Sequence, residues 1–101
     1  MEYYKVPMSE ILYFESRGRK VEIHMNHDKK DEFYASIEKV YDAVKKHNFL
    51  FIHLSVIVNY RFIKKISYEE IVMVDGMVLP ISQSRRKAIK SMYMKIRKGE
   101  M

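Results

Sequence analysis

Short apolar segments separated by turn residues run along the whole chain, and this pattern constrains the fold more than any other feature of the sequence. Residues 20–25 alternate polar and apolar side chains, which is the period of a half-buried strand. Gly18, in the preceding polar break, suits a turn position with positive φ. The pattern therefore predicts a hairpin between residues 11–14 and 20–25, with Arg17 and Arg19 at its tip.

The second half of the chain contains further strand signals. Residues 49–58 are apolar and rich in β-branched side chains but too short to cross a membrane, so we interpret them as one buried, central strand. Asn59, at the end of this segment, is typical of a turn. Two shorter strands are predicted over residues 63–67 and 71–74.

The dipeptide Asp75–Gly76 is the strongest hairpin signal in the chain, because it is typical of a type I′ turn. Residues 77–81 are predicted to return as the partner strand of residues 71–74. Pro80 has no N–H for a strand ladder, so this strand lies at a sheet edge or ends there.

Two segments have the apolar spacing of a helix rather than a strand. The first covers about residues 32–46, and its apolar face consists of Phe33, Ile37, Val40, Tyr41 and Val44. The second begins with Ser82 or Ser84 as the N-cap, and its apolar face consists of Ala88, Ile89, Met92, Tyr93 and Ile96. We expect one mainly β domain over residues 1–101, with one amphipathic helix and a basic C-terminal helix.

The positive charge is concentrated in the second of these helices. The chain has a net charge of +6, and residues 84–98 contain no acidic residue. The seven cations of this run are Arg85, Arg86, Lys87, Lys90, Lys95, Arg97 and Lys98. Such a run favours a polyanionic partner, because neutralised phosphates release counterions on binding. A solvated basic helix without a partner accounts for the charge equally well.

Composition excludes several classes of protein. The chain has no cysteine, which excludes disulfides, Cys-ligated zinc, iron–sulfur clusters and thiol catalysis. Residues 1–7 are short and mixed in polarity and do not form a signal peptide, and no apolar run is long enough to span a membrane. We therefore expect a cytoplasmic protein with no cofactor, no small-molecule substrate and no contact with a membrane.

The histidines suggest neither a metal site nor an enzyme. His24, His27, Asp28 and Asp31 cross a strand end and a polar loop rather than one helical face, so we interpret them as surface residues. His53 lies in an apolar segment without the partners of a nucleophilic triad. No catalytic residue is predicted.

Four motifs of the sequence resemble those of one known family in order and spacing. They are the Ile-Leu-Tyr-Phe-Glu-Ser string at residues 11–16, the Glu-Phe-Tyr-Ala-Ser string at 32–36, the His-x-Ser-x-x-Val-Asn pattern at 53–59 and the Leu-Pro-Ile-Ser string at 79–82. Each motif alone is weak, but the four together are specific. The chain resembles the LytTR DNA-binding domain of bacterial response regulators over essentially its whole length.

This resemblance implies an elongated arrangement of small antiparallel sheets that binds duplex DNA through loops entering successive major grooves. It implies the output domain of a two-component transcription regulator, with paired imperfect repeats as targets and possible homodimers on DNA. The positions expected to face bases are Arg19, Leu54 and Ser84. The remaining expected DNA-binding residues are Arg17, Lys20, His53, Ser55, Ser82, Arg85 and Arg86.

Leu54 departs from the family, which usually has a polar or basic residue at this position. Alternation from Leu50 through Ile52 would place Leu54 in the core, whereas the resemblance places it on the exposed DNA-facing edge, which we favour. An exposed Leu54 would contact a thymine methyl or leave the contact to a neighbour.

Two other functions compete with duplex binding. The chain would act as a protein interaction or dimerisation module if its basic C-terminal helix docked an acidic partner. A binder of RNA or single strands would carry the same charge but should expose aromatic residues beside it. Most of the Tyr and Phe residues lie on apolar faces, so core packing is the better account of them.

Overall fold

The computed structural model describes residues 6–99, which form two antiparallel sheets and two α-helices in a body of 40 × 27 × 25 Å. The larger sheet has the order β3-β2-β1-β5-β4, with β1 Ile11–Arg17, β2 Lys20–Met25, β3 Lys30–Tyr34, β4 Phe49–His53 and β5 Val56–Asn59. The smaller sheet has the order β6-β7-β8, with β6 Ile63–Ile66, β7 Glu70–Met73 and β8 Val78–Pro80. The helices are α1 Ile37–Val44 and α2 Arg86–Gly99. The prediction of a mainly β, elongated fold is confirmed, while the interpretation of residues 1–7 falls largely outside the described residues.

The hairpin of β1 and β2 forms as the sequence predicts. Arg17 pairs with Lys20 across the ladder, which leaves Gly18 and Arg19 as a two-residue turn. Gly18 has φ +61°, a value that costs a glycine little because it has no Cβ.

The helix predicted from residue 32 is wrong in its first part. Lys30–Tyr34 is strand β3, in which half-buried Phe33 pairs with Val21 of β2. A turn with positive φ at both His27 and Asp28 leads into this strand, the combination that a type I′ turn requires. The helix begins only after Ser36, whose side chain accepts a hydrogen bond from the Lys39 backbone N–H.

The single central strand predicted over residues 49–58 is also wrong. The segment folds back at Leu54–Ser55, so that β4 and β5 form a hairpin, and the central strand of the sheet is β1. Leu50 and Val58 face each other across this hairpin, and both are buried. Both strands are therefore apolar, and the sequence shows no run of polar residues between them. Leu-Ser also lacks the Gly, Asn or Asp that usually marks such a turn.

Asn59 ends β5, and its side-chain amide both accepts and donates hydrogen bonds. Its side chain accepts a hydrogen bond from the Arg61 backbone N–H, as expected of a turn former, and donates to the backbone oxygens of Ile11 (2.9 Å) and Met8 (3.3 Å). Only 5% of this residue is exposed, so the amide joins the end of β5 to the start of β1 within the interior.

The hairpin of β7 and β8 has a different turn from the predicted one. Four residues, 74–77, connect the strands, and Gly76 has positive φ whereas Asp75 does not, so the turn is not type I′. The Asp75 side chain instead accepts a hydrogen bond from the Met77 backbone N–H (3.0 Å). Pro80 ends β8, which is an edge strand, as predicted.

Each face of the larger sheet has its own apolar core. Helix α1 covers one face, around Phe14, Val21, Ile23, Phe49 and Ile57. The smaller sheet and α2 cover the other, around Leu12, Tyr13, Leu50, Ile52, Val56, Val58, Ile71, Met73, Leu79, Ile81 and Ile89. The turn residues Gly18, Arg19 and Leu54 are exposed at one end of the larger sheet, where the candidate site lies.

Helix α2 follows a 3-10 turn, Gln83–Arg85, for which Ser82 is the N-cap residue without a capping side-chain hydrogen bond. Its predicted apolar face is confirmed at Ile89, which is buried, but Ala88 is exposed. Within residues 6–99, neither helix is long and apolar enough to cross a membrane.

Candidate nucleic-acid interface

Three chain segments meet at one end of the larger sheet. The turn Gly18–Arg19 joins β1 to β2, and the turn Leu54–Ser55 joins β4 to β5 at the same end, since β5 runs antiparallel to β1. The two turns are linked, because the Ser16 backbone N–H donates to the Ser55 oxygen at 2.8 Å. Beyond β4, the Ser82 backbone N–H donates to the Ile52 oxygen at 2.9 Å, which adds the start of the α2 region to the row. We call this row of two turns and the residue 82–86 segment the loop edge.

Arg19 is the most available cation of the loop edge. Its backbone oxygen accepts a hydrogen bond from the Ala35 N–H at 3.3 Å, which fixes the turn against the start of α1. Its side chain is exposed and makes no hydrogen bond or ion pair within the described part of the chain. All five N–H donors of the guanidinium therefore face solvent, ready for a planar acceptor pair.

Arg17 and Lys20 are held by carboxylates of the same domain. Nε of Arg17 lies 3.0 Å from Oε1 of Glu22, and Nζ of Lys20 lies 3.0 Å from Oε1 of Glu32. The Lys20 ammonium also lies 5.1 Å from the ring centroid of Tyr34. The Arg17 side chain is 65% exposed and the Lys20 side chain is 39% exposed, and ion pairs at a protein surface contribute at most about 1 kcal/mol, so a phosphate can replace either carboxylate.

Sequence reasoning missed a polar network that lies behind the first turn. Nε2 of His24 lies 3.3 Å from Oε1 of Glu22 and 3.6 Å from Oε1 of Glu15, and the His24 ring stacks on Tyr13 with centroids 4.1 Å apart. Arg17 completes the network through both carboxylates. The signal that could have found it is cross-strand pairing, because Tyr13 faces His24 and Glu15 faces Glu22 in the ladder.

Burial dominates the ionisation of this network. It lowers the pKa of His24, against the nearby charges of Glu22 and Glu15, so the imidazole is neutral at pH 7. Burial, with a smaller contribution from the Glu15 charge, raises the pKa of Tyr13 to about 12. The network therefore places Arg17 beside two carboxylates with no competing imidazolium.

The structure does not bring His24 together with His27, Asp28 and Asp31. Among residues 6–99, the cluster of ligand-type atoms within 4.8 Å of one another is Glu15, Glu22 and His24. The guanidinium of Arg17 already lies beside both carboxylates of this cluster. The arrangement is that of an ion-pair network around Arg17.

The second turn presents an apolar side chain between polar ones. Leu54 is 71% exposed, so the core interpretation of this residue is wrong and the expected exposed position is confirmed. The Ser55 backbone N–H donates to Nδ1 of His53 at 3.3 Å, so in the neutral ring the proton is on Nε2. His53 thus presents an N–H donor beside Leu54.

The third segment combines an exposed serine with two anchored arginines. Arg85 donates from Nη1 to the Phe51 oxygen at 3.3 Å, and its guanidinium carbon lies 4.4 Å from the Phe51 ring centroid. Arg86 donates from Nε to the Ile81 oxygen at 3.2 Å. Ser84 is exposed, whereas Ser82 is half-buried and its hydroxyl oxygen is buried. Arg85 thus ties the turn before α2 to β4, Arg86 ties the start of α2 to Ile81, and both keep further N–H groups for an anion.

The cations in the last turns of α2, Lys95, Arg97 and Lys98, lie away from the loop edge. The ring of Tyr93 packs 5.4 Å from the ring of Tyr60, which follows β5 at the opposite end of the larger sheet. Helix α2 therefore runs from the loop edge at Arg86 toward the far end of the domain. The basic run that the sequence suggested as one unit is split between two places on the surface.

Comparison with known proteins agrees with this geometry. The family model of the LytTr DNA-binding domain matches residues 1–94. The chain is similar in structure to the LytTr DNA-binding domain of a putative methyl-accepting/DNA response regulator from Bacillus cereus, with a TM-score of 0.77 and 25% identity over 86% of this chain and 84% of that chain. No curated protein matches the sequence. A family model that matches nearly the whole chain confirms the resemblance, and the chain belongs to the LytTR family of DNA-binding domains.

Proposed function

We propose that this domain binds duplex DNA sequence-specifically, as the output domain of a bacterial transcription regulator, by placing its loop edge in successive major grooves. The observation that carries the proposal is the common position of the three segments: both hairpin turns and residues 82–86 lie side by side at one end of one sheet. A row of projecting turns can follow a groove without a recognition helix.

Each turn has a distinct role in this proposal. Arg19, unpaired and exposed, donates two hydrogen bonds to O6 and N7 of a guanine. Leu54 contacts the methyl group of a thymine, while Nε2–H of His53 donates to a neighbouring phosphate. Ser84 faces a third base, with Ser55 and Ser82 beside the groove.

Phosphate contacts come from cations that already have partners in the domain. Arg17 and Lys20 exchange their carboxylates for phosphates when the duplex arrives. Arg85 and Arg86 use the N–H groups that are not donated to Phe51 and Ile81. Two domains on paired imperfect repeats would then give a homodimeric complex, with one loop edge in each half-site.

A binding comparison tests the proposal. A preferred duplex is first selected from a random duplex library, and fluorescence anisotropy then compares this duplex, its single strand and the matching RNA at the same salt. We expect the duplex to bind most tightly, with each phosphate contact adding about 0.9 to the slope of log affinity against log salt. A flat salt dependence, or equal binding of the three probes, contradicts the proposal.

A further inference from the structure

The space between α2 and the smaller sheet forms a second concave surface, which we call the α2 cleft. It has a volume of about 540 Å³, and its apolar wall includes Tyr68, Tyr93 and Met94. Tyr68 is 56% exposed and Met94 is 55% exposed. Large apolar side chains with this exposure beside a concavity are typical of a contact surface.

The charged side chains that line the α2 cleft are cations. Lys65, Arg86, Lys90 and Arg97 line it, and no carboxylate of residues 6–99 does. Lys65, Lys90 and Arg97 make no ion pair within residues 6–99, in contrast to Arg17 and Lys20 on the loop edge. The cleft therefore has the charge that complements an acidic ligand.

Helical spacing places the cations and the apolar side chains in one stripe. Arg86, Lys90, Tyr93 and Arg97 follow one another at intervals of three or four residues, and Met94 is four residues after Lys90, so all five lie along one face of α2. Arg97 is about 16 Å along the helix from Arg86, at a rise of about 1.5 Å per residue. A ligand that fills the stripe is therefore elongated, and it lies mostly beyond the loop edge.

The chemistry of the stripe distinguishes a peptide from a nucleic acid. A phosphate backbone would use the cations but would leave the Tyr68 and Met94 surfaces without an apolar partner. A peptide that carries carboxylates on either side of one large apolar side chain satisfies both parts of the cleft. The flexible side chain of Met94 can adapt to such an anchor.

We propose that the α2 cleft docks an acidic amphipathic segment of a partner protein. Carboxylates of this segment pair with Lys65, Lys90 and Arg97, and its apolar side chain lies against Tyr93 and Met94. The cleft shares Arg86 with the loop edge, but the three cations that pair with the segment lie outside it. The domain can therefore hold duplex DNA and the partner at the same time, and the proposal stands independently of duplex binding.

A displayed library of random 15-residue peptides, selected on the complete 101-residue chain, tests this assignment. We expect the selected peptides to be acidic with at least one large apolar residue. Their affinity should fall about tenfold or more in the double variant Lys65→Glu/Arg97→Glu, because two attractions become repulsions. The matched control is Lys95→Glu/Lys98→Glu, which changes the net charge equally at positions that do not line the cleft.

Duplex binding by the same two variants provides the second measurement. Because both variants change the net charge equally, the proposal predicts equal duplex affinity for both, while peptide affinity falls in the cleft variant alone. Melting temperatures show that both variants are folded, and Met94→Ala tests the apolar part without a change of charge. Selected peptides without acidic residues, equal peptide affinity of the two variants, or a selective loss of duplex binding in the cleft variant would each overturn the proposal.

Discussion

Two hairpins of the larger sheet reach the loop edge with turns of equal length and side chains of opposite chemistry. The β1–β2 hairpin ends in Gly18–Arg19, and the β4–β5 hairpin ends in Leu54–Ser55, each with a two-residue turn. The first presents a guanidinium that has no partner among residues 6–99, and the second presents an exposed leucine. The sheet thus fixes where a contact is made, while the residue at the tip decides which atoms are recognised.

The two hairpins also differ in what supports them. The β1–β2 hairpin has ionisable support in addition to its apolar core, because Glu15, Glu22 and His24 surround Arg17 behind its turn. The β4–β5 hairpin rests on Ile52 and its neighbours in a core without charges. We therefore expect pH and charge substitutions to act on the first hairpin, and truncation of apolar side chains to act on the second.

The largest effect is expected inside the β4–β5 hairpin. Ile52 is fully buried, so Ile52→Ala should lower the free energy of unfolding by about 2–5 kcal/mol, through lost burial and a cavity. Leu54→Ala, two residues further, should change it by less than about 0.5 kcal/mol, since Leu54 is 71% exposed. Urea denaturation of the two variants measures both values. Similar losses in the two would mean that Leu54 packs in the core.

The next largest effect is a loss of stability at high pH, which comes from Tyr13 in the β1–β2 hairpin. The unfolded chain releases the Tyr13 proton near pH 10, whereas the folded protein holds it until about pH 12. Stability should therefore fall by about 1.4 kcal/mol for each pH unit between 10 and 12. Tyr13→Phe should remove this component, and the difference between the two proteins cancels the titration of other groups. Parallel denaturation curves across this range would contradict the assignment.

Arg19→Ala tests the role of the first tip in binding. A bidentate contact to guanine contributes roughly 1–3 kcal/mol of discrimination, so the preference for the selected duplex over a random one should fall about tenfold or more. Lys95→Ala is the matched control, since it removes one cation from a position that is far along α2. Anisotropy titrations with both duplexes give the ratio. An unchanged ratio in Arg19→Ala would exclude Arg19 as a base reader.

The β1–β2 turn could be predicted from the sequence and the β4–β5 turn could not. Gly18 marks the first because positive φ favours glycine, whereas Leu54–Ser55 has no such residue and the apolar pattern continues through it. The start of α1 was misplaced for a related reason. Phe33 lies four residues before Ile37, so a strand residue has the spacing of a helical face.

The candidate site likewise has a part that the sequence predicts and a part that it does not. The family resemblance supplied the positions of Arg19, Leu54 and Ser84, and the structure brings their three segments to one end of the sheet. The resemblance could not supply the pairing of Arg17 with Glu22, because that contact depends on the register between two strands. Availability of a cation is a property of its neighbours in space, which a linear sequence does not show.

A smaller effect is expected when Leu54 in the β4–β5 turn is replaced by an arginine like the one in the β1–β2 turn. Leu54→Arg should keep the melting temperature nearly unchanged, because the side chain is exposed in the free protein. It should also alter the preferred base at one position, from a thymine toward a guanine, which a repeated duplex selection detects. A large drop in melting temperature without DNA would remove Leu54 from the interface.

The smallest effect concerns Arg17, whose guanidinium is ion-paired to Glu22 within the β1–β2 hairpin. Glu22 lies 3.0 Å from Nε of Arg17, and the Arg17 side chain is 65% exposed, so Glu22→Gln should release Arg17 toward phosphate. We expect affinity to rise a few-fold for all duplexes alike and the salt slope to increase by up to about 0.9, since a phosphate contact carries no sequence information. Glu10→Gln makes the same change of charge before the start of β1, at the end of the strand away from the loop edge. If both variants gain affinity equally, the gain comes from net charge alone and Glu22 does not restrain Arg17.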